Sequence, residues 1–215
     1  MILVFAAILG ADDAPPPDER EVQRLVGRAR TGDAEAARAL YRMHAGRVFR
    51  AVRGLCASEA DAEDAVQEAF AAALPKLDDY RYRPGTRFVA WLCTLAFNAA
   101  RKRSRSARRT EPMDGLDQAE SFGTGTDEHG HRPDALAERA QRRRLLLSAM
   151  AELSERDREV VSLRYGAGLT APEVAEALSL SPANVRKICE RQRAWLLERL
   201  KPLRPGEEEV RDDAG

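Results

Sequence analysis

Aromatic residues are scarce in this chain, at 6% of 215 residues, and β-branched runs are few. No stretch gives a convincing alternation of apolar and polar side chains, and no hairpin signal is visible. That excludes a sandwich or barrel and leaves an all-α fold. Cysteine is also rare. Cys56, Cys93 and Cys189 are odd in number and far apart, which argues against a disulfide framework and fits a reducing cytoplasm. Histidine is limited to His44, His129 and His131. His129 and His131 beside Glu128 make only a thin metal site, so no metal is expected. With no phosphate-binding glycine loop and no nucleophile–base pair, neither a cofactor nor enzymatic catalysis is expected. Long hydrophobic runs are missing too. The opening MILVFAAILG is too short to span a bilayer, lacks a basic start and has no small-residue cleavage pattern after it, so no stable membrane insertion is expected. It reads as a nonfunctional extension, with a weak membrane-binding arm or a misassigned start codon as the other readings. Net charge is zero, from 35 basic and 35 acidic residues, but its distribution is uneven.

What is present is organised as two helical domains on a tether. Residues 1–20 end in the Pro-rich acidic stretch ADDAPPPDER and are expected to be disordered. Helical periodicity starts near Glu21 with Val22, Leu25 and Val26. Asp33 can cap a second helix carrying Leu40, Tyr41, Val48, Phe49, Val52 and Leu55. A third helix starts near Asp61 and stops at Pro75, and a fourth follows the loop LDDYRYRPGT. Residues 110–138 lose all periodicity and hold eight acidic residues against Arg132 alone, a net −7. They read as a flexible acidic linker between a domain at 21–109 and one at 139–203. Residues 204–215 form an acidic tail.

The C-terminal domain carries the sharpest signal. Ser154 is followed by Asp157, Thr170 by Glu173 at capping-box spacing, and Ser181 at once by Pro182. Each marks a helix start. The turn Ser179-Leu180-Ser181 then joins two helices as a helix-turn-helix. On the second of these, Val185, Ile188, Cys189, Gln192 and Leu196 share one side, which must pack on Val174, Ala175 and Leu178. Asn184, Arg186, Lys187 and Arg191 lie off that stripe, and residues 182–201 carry a net +4. Such a helix suits a DNA major groove, with its start touching base edges and its basic flanks neutralising phosphates. The plainer alternative is a solvated basic face on an ordinary helical hairpin.

Two patterns in the N-terminal domain bear on partners. Residues 58–74 hold five acidic residues and no basic one, which the helix dipole explains in part. Asp64, Gln67 and Glu68 sit off the apolar stripe of Val66, Ala69 and Phe70. They offer either a solvated face or an anionic surface for a basic partner. Further on, six of the nine residues from Arg101 to Arg109 are basic. Phe88 and Trp91 follow a loop with Tyr80, Arg81, Tyr82 and Arg83, an interleaving that suits single-stranded DNA. The plainer alternative is that Phe88 and Trp91 are core residues, which holds for Trp91 in large part and less so for the loop.

The order GDAEAARALYRMH, DAEDAVQEAF, RFVAWLCTLAFNAARKR, an acidic linker and LSERDREVVSLRYGAGLTAPEVAEALSLSPANVRKICERQRAWLLERL resembles a bacterial extracytoplasmic-function sigma factor over residues 21–109 and 139–201. The resemblance implies core RNA polymerase (β′ clamp and β flap), promoter DNA and an anti-sigma factor as partners. It implies that Asp61, Asp64, Gln67 and Glu68 dock on the β′ clamp. Tyr80, Arg81, Phe88, Trp91, Asn98, Arg101 and Arg103 would melt and hold the −10 element. Ser181, Asn184, Arg186, Lys187 and Arg191 would read the −35 element. The linker would thread the polymerase, its charge either mimicking nucleic acid or merely solvating a tether. Pro75, Phe97, Lys102 and Ser179 depart from the family pattern, the last replacing a usual turn glycine. A response-regulator output domain shares the LSERDREVVSL opening, but residues 21–109 lack the βαβ alternation of a receiver. A protein-only helical adaptor would not need the basic block or the recognition helix.

Overall fold

A computed structural model describes residues 17–80, 87–110 and 133–200, with side chains described in those ranges except at 106–110 and 133–139. The loop with Arg81, Tyr82 and Arg83, the acidic stretch 111–132 with His129 and His131, and both chain ends lie outside the described residues. Among the described residues every regular element is helical. The N-terminal group comprises α1 (Glu19–Arg30), α2 (Ala34–Arg53), α3 (Glu59–Ala73) with a 3₁₀ turn at Leu74–Lys76, and α4 (Phe88–Thr110). The C-terminal group comprises α5 (Pro133–Glu152), α6 (Glu155–Val161) running into a π-helical turn at Ser162–Gly166, α7 (Ala171–Ala177) and α8 (Pro182–Arg199).

Helix starts follow the side chains that can satisfy orphan backbone N–H groups. The Asp18 carboxylate accepts from the Arg20 N–H, so α1 begins slightly before the expected Glu21. Asp33 accepts from the N–H groups of Glu35 and Ala36. Ser58 and Asp61 form a reciprocal capping box, which moves the start of α3 ahead of Asp61. Pro75 ends α3 only after one tighter turn.

One boundary needs correction. The loss of periodicity predicts a linker over 110–138, whereas in the structure α5 starts at Pro133 and Thr110 still belongs to α4. Proline suits a first helical position because its fixed φ matches the helix and its missing N–H would be orphaned there. Leu146, Ala149, Met150 and Leu153 then recur at helical spacing and are all buried, so packing holds what the acidic leader alone did not announce.

In the N-terminal group, Val22, Leu25 and Val26 of α1 pack with Leu40, Val48 and Val52 of α2, Val66 and Phe70 of α3, and Leu92, Ala96 and Phe97 of α4. Arg30 fastens the turn after α3 by donating to the Leu77 carbonyl at 3.0 and 2.7 Å and to that of Tyr80 at 2.7 Å. The C-terminal group closes around Leu146, Val160, Leu163, Leu169, Val174, Val185, Ile188 and Leu196. The two groups share one continuous core. The end of α2 lies against the π-helical turn so closely that a Cβ on Gly166 would stand 2.8 Å from the Arg50 carbonyl oxygen. A Cβ on Gly54 would meet the Met150 methyl at 2.6 Å.

Candidate nucleic-acid interface

The second helix of the helix-turn-helix is built to hold its start open to solvent. The Ser181 hydroxyl accepts from the Asn184 N–H, and Pro182 occupies the first helical position. Val185, Ile188, Cys189, Gln192 and Leu196 are buried, the same five residues that periodicity places on the core side. Gln192 Nε2 donates to Asp157 at 2.8 Å, and Arg191 pairs with the same carboxylate at 2.7 Å, so α6 fixes the rotation of α8 about its axis. Asn184, Arg186 and Lys187 stand exposed on the opposite side, and neither Arg186 nor Lys187 has an acidic partner among the described residues. The plain hairpin reading asks for no such arrangement of capped start, anchored back and free cations.

The turn before α8 closes in an uncommon way. Ser179 has φ +54°, in the left-handed region. The Leu180 N–H donates to the Ala175 carbonyl at 2.8 Å, and the Ser179 N–H to that of Glu176 at 3.4 Å. This is a Schellman closure with serine in the position that favours glycine.

On α3, Asp61, Asp64 and Glu68 share a face, and all three converge on Arg103 of α4. Arg103 lies 2.6 Å from Glu68 and 3.8 Å from Asp61, and it also pairs with Asp64. The residues expected to meet the polymerase and one expected to meet the −10 element therefore form a single ionic cluster. Gln67 is exposed beside it.

The aromatic expectation is corrected in part. Phe88 is 1% exposed and Tyr80 4% exposed. Both sit in the core with ring centroids 5.1 Å apart, so neither can stack on a base in this arrangement. Burial of large apolar rings outweighs their availability to a ligand. Trp91 is only half-buried and lies 5.4 Å from Tyr80 and 5.6 Å from Phe88, which makes those two rings a platform that positions it. His44 packs edge-on to Phe88 at 5.4 Å, and neither ring nitrogen has a hydrogen-bond partner among the described residues. Burial, with Arg47 and Arg87 nearby, pulls its pKa down to about 4, so it is a neutral core residue.

Further along α4, Asn98 is exposed and Arg101 half-buried. Arg101 pairs with Glu159 of α6 and lies 3.4 Å from Glu155, while its other nitrogen reaches Asn98 Oδ1 at 3.3 Å. Burial raises the Glu159 carboxyl above its ordinary value, and the Arg101 charge opposes that shift. Phe97, one of the departures from the family pattern, is buried here. It borders a cleft of about 520 Å³ with Asn98, Arg101, Glu159, Leu178 and Ser179.

Sequence reasoning missed the residues that join the two groups. Arg87 grips Glu173 of α7 through two bonds, 2.5 and 2.9 Å, and donates to the Gly168 carbonyl at 2.8 Å. Burial alone would raise the Glu173 carboxyl, but bonds from Arg87 and Thr170 outweigh it and hold the group below the usual carboxylate value. Arg143 adds a pair with Glu59 at 3.3 Å. Glu173 was legible only as half of a capping box, which it also is. Among the described residues, no group of three or more metal-binding side chains exists, and no helix is long and apolar enough to cross a membrane.

Comparison with known proteins assigns the class. Residues 40–110 match the sigma-70 region 2 family and residues 143–196 the sigma-70 region 4 family, together more than half of the chain. The chain belongs to the extracytoplasmic-function sigma factors, the proteins that direct RNA polymerase to promoters. Among its relatives are RNA polymerase sigma factor CarQ of Myxococcus xanthus, 32% identical over 74% of this chain and 86% of CarQ. CnrH of Cupriavidus metallidurans is 30% identical over 80% of this chain and 90% of CnrH. BldN of Streptomyces coelicolor is 29% identical over 81% of this chain, which spans 64% of BldN. Among solved structures, CnrH in complex with the cytosolic domain of CnrY is similar at a TM-score of 0.59 and 27% identity, covering 85% of this chain and 98% of that one. The sigma factor RpoE of Bartonella quintana, with the anti-sigma factor NepR, shares the fold at a TM-score of 0.50 and 22% identity, over 85% of this chain and 95% of that one.

Proposed function

We propose that residues 21–109 and 133–203 act as separate polymerase- and promoter-binding domains. In this reading Asp61, Asp64, Gln67 and Glu68 dock on a basic helical surface of the polymerase β′ clamp. Trp91, Asn98, Arg101 and Arg103 hold the separated −10 strand, with Tyr80 and Phe88 as the platform beneath Trp91. Ser181, Asn184, Arg186, Lys187 and Arg191 face the −35 duplex. The protein works by binding in the cytoplasm and performs no covalent chemistry. An anti-sigma factor is a further partner, a reading supported by the likeness to CnrH, whose solved structure contains CnrY.

The observation that carries this proposal is α8. Its back is anchored by Asp157 and a buried stripe, while Arg186 and Lys187 project from the opposite side without an acidic partner among the described residues. Free, preorganised cations at the start of a helix suit base edges and phosphates.

Docking is tested on the full chain by pull-down of core polymerase. Reversing two charges, Asp64→Arg with Glu68→Arg, should weaken polymerase binding by about 100-fold, the scale of lost interfacial charge pairs. The same variant releases Arg103 from two of its three partners and should still bind DNA. Wild-type recovery of polymerase by the double variant would remove the docking role from α3.

A further inference from the structure

We propose that the acidic segment at residues 207–213 folds back along α8 and pairs with the cations that face the −35 duplex, as a competitor for DNA carried by the chain itself. This rests on the DNA-facing role proposed for Arg186 and Lys187, and it adds an occupant for their face.

Helix α8 holds five basic residues against Glu190 and Glu198, a net +3. Two of the cations are engaged with other helices, Arg191 with Asp157 at 2.7 Å and Arg199 with Glu152 at 2.6 Å. Arg186, Lys187 and Arg193 are exposed, and none of the three has an acidic partner among the described residues. Like charges gathered on one helix repel, so an anion laid along them is favoured.

The segment matches that face in charge and in reach. Residues 207–213 read EEEVRDD, five carboxylates against Arg211, a net −4. Lys187 lies 13 residues before Leu200, about 20 Å along the helix. Glu207 lies seven residues past Leu200, about 24 Å of extended chain, and Asp213 thirteen, about 44 Å. Carboxylates of the segment can therefore reach Arg193, Lys187 and Arg186 with slack. The intervening residues favour a reversal. Pro202 cannot extend α8, and Pro205-Gly206 is a turn-forming pair. Being joined to α8, the segment meets these cations at an effective concentration on the order of millimolar. Such a competitor lowers affinity for any duplex alike, and base contacts at a promoter are then needed to displace it.

The test is a cycle of full-length variants bound to a fluorescein-labelled 30-base-pair duplex of mixed sequence, read by anisotropy. Neutralising the segment with Glu207→Gln, Glu208→Gln, Glu209→Gln, Asp212→Asn and Asp213→Asn should tighten binding about tenfold, the factor expected if about one wild-type molecule in ten has α8 uncovered. Tenfold is about 1.4 kcal/mol, within reach of several exposed ion pairs acting together. The gain should shrink as salt rises from about 50 to about 200 mM, because exposed pairs are screened. In a chain that also carries Arg186→Ala and Lys187→Ala, neutralising the segment should change affinity less than about twofold. Unchanged affinity on neutralising the segment of the otherwise wild-type chain overturns the proposal. So does an equal gain in both backgrounds, which would mark a long-range effect of net charge in place of docking. In either case the DNA-facing role of α8 stands if Arg186→Ala with Lys187→Ala still weakens duplex binding. If that pair leaves binding by the neutralised chain unchanged, the DNA-facing role fails and the proposal with it. Carbodiimide cross-linking of the wild-type monomer, read by mass spectrometry, identifies the occupant. Lys187 should be joined to a carboxylate within 207–213, and joining only to carboxylates within 111–132 would overturn the proposal.

Discussion

A single backbone angle shows how a residue can be kept against its own preference. Ser179 takes φ +54° in the turn that sets the angle of α8. Left-handed geometry costs a residue with a Cβ on the order of 1–2 kcal/mol, and glycine avoids that cost while losing more entropy on folding. Ser179→Gly should therefore stabilise the protein by about 1 kcal/mol and raise Tm by roughly 2–4 °C, as expected for a chain of this size. Thermal unfolding followed by circular dichroism gives the answer, and an unchanged or lower Tm would mean the turn carries no such strain. Sequence alone identifies the missing glycine. It does not show that the serine bends into the glycine conformation instead of the turn changing shape. That outcome depends on Leu180 being drawn toward the core and on the two hydrogen bonds that close α7.

Elements were more legible than residues, for a local reason. Caps and apolar stripes involve neighbours within four positions, so Asp33, Ser154, Thr170 and Ser181 announce their helices directly. The buried face of α8 is the clearest case, because period and charge agree there. Helix α5 was less clear, since its first turns continue the acidic composition of the linker and its apolar spacing begins only at Leu146. The exposed side of α8 makes its own prediction. In promoter-dependent transcription with core polymerase, Arg186→Ala and Lys187→Ala should each cost roughly 1–3 kcal/mol where a base edge is lost. Where a phosphate is lost instead, the slope of binding against salt should fall by about one. Polymerase recovery should be unaffected in both variants. Transcription equal to wild type from both would show that α8 does not read the −35 element.

At the scale of the whole molecule, sequence reading stops short because the partners are chosen by the fold. Arg87 and Glu173 are 86 positions apart, and nothing in the spacing of either pairs them. Arg101 is legible as a basic residue and Glu159 as part of a helix start, but their pairing depends on α4 crossing α6. Tyr80 and Phe88 mislead for the same reason: an interleaved aromatic and basic string looks alike whether its rings face bases or one another. Shared packing also sets how the protein unfolds. Leu146, Met150, Leu163 and Leu169 belong to the same continuous core as Val48, Val52, Leu92 and Phe97. Domains coupled through such a core should melt together, whereas domains on a free tether should melt independently. Calorimetry of the wild type should therefore give one transition whose van't Hoff and calorimetric enthalpies agree. Gly166→Glu, by forcing α2 away from the π-helical turn, should split it into two, each with a smaller enthalpy. Two transitions already present in the wild type would mean that the domains are not coupled in solution, since a shared core cannot melt in halves without first being divided.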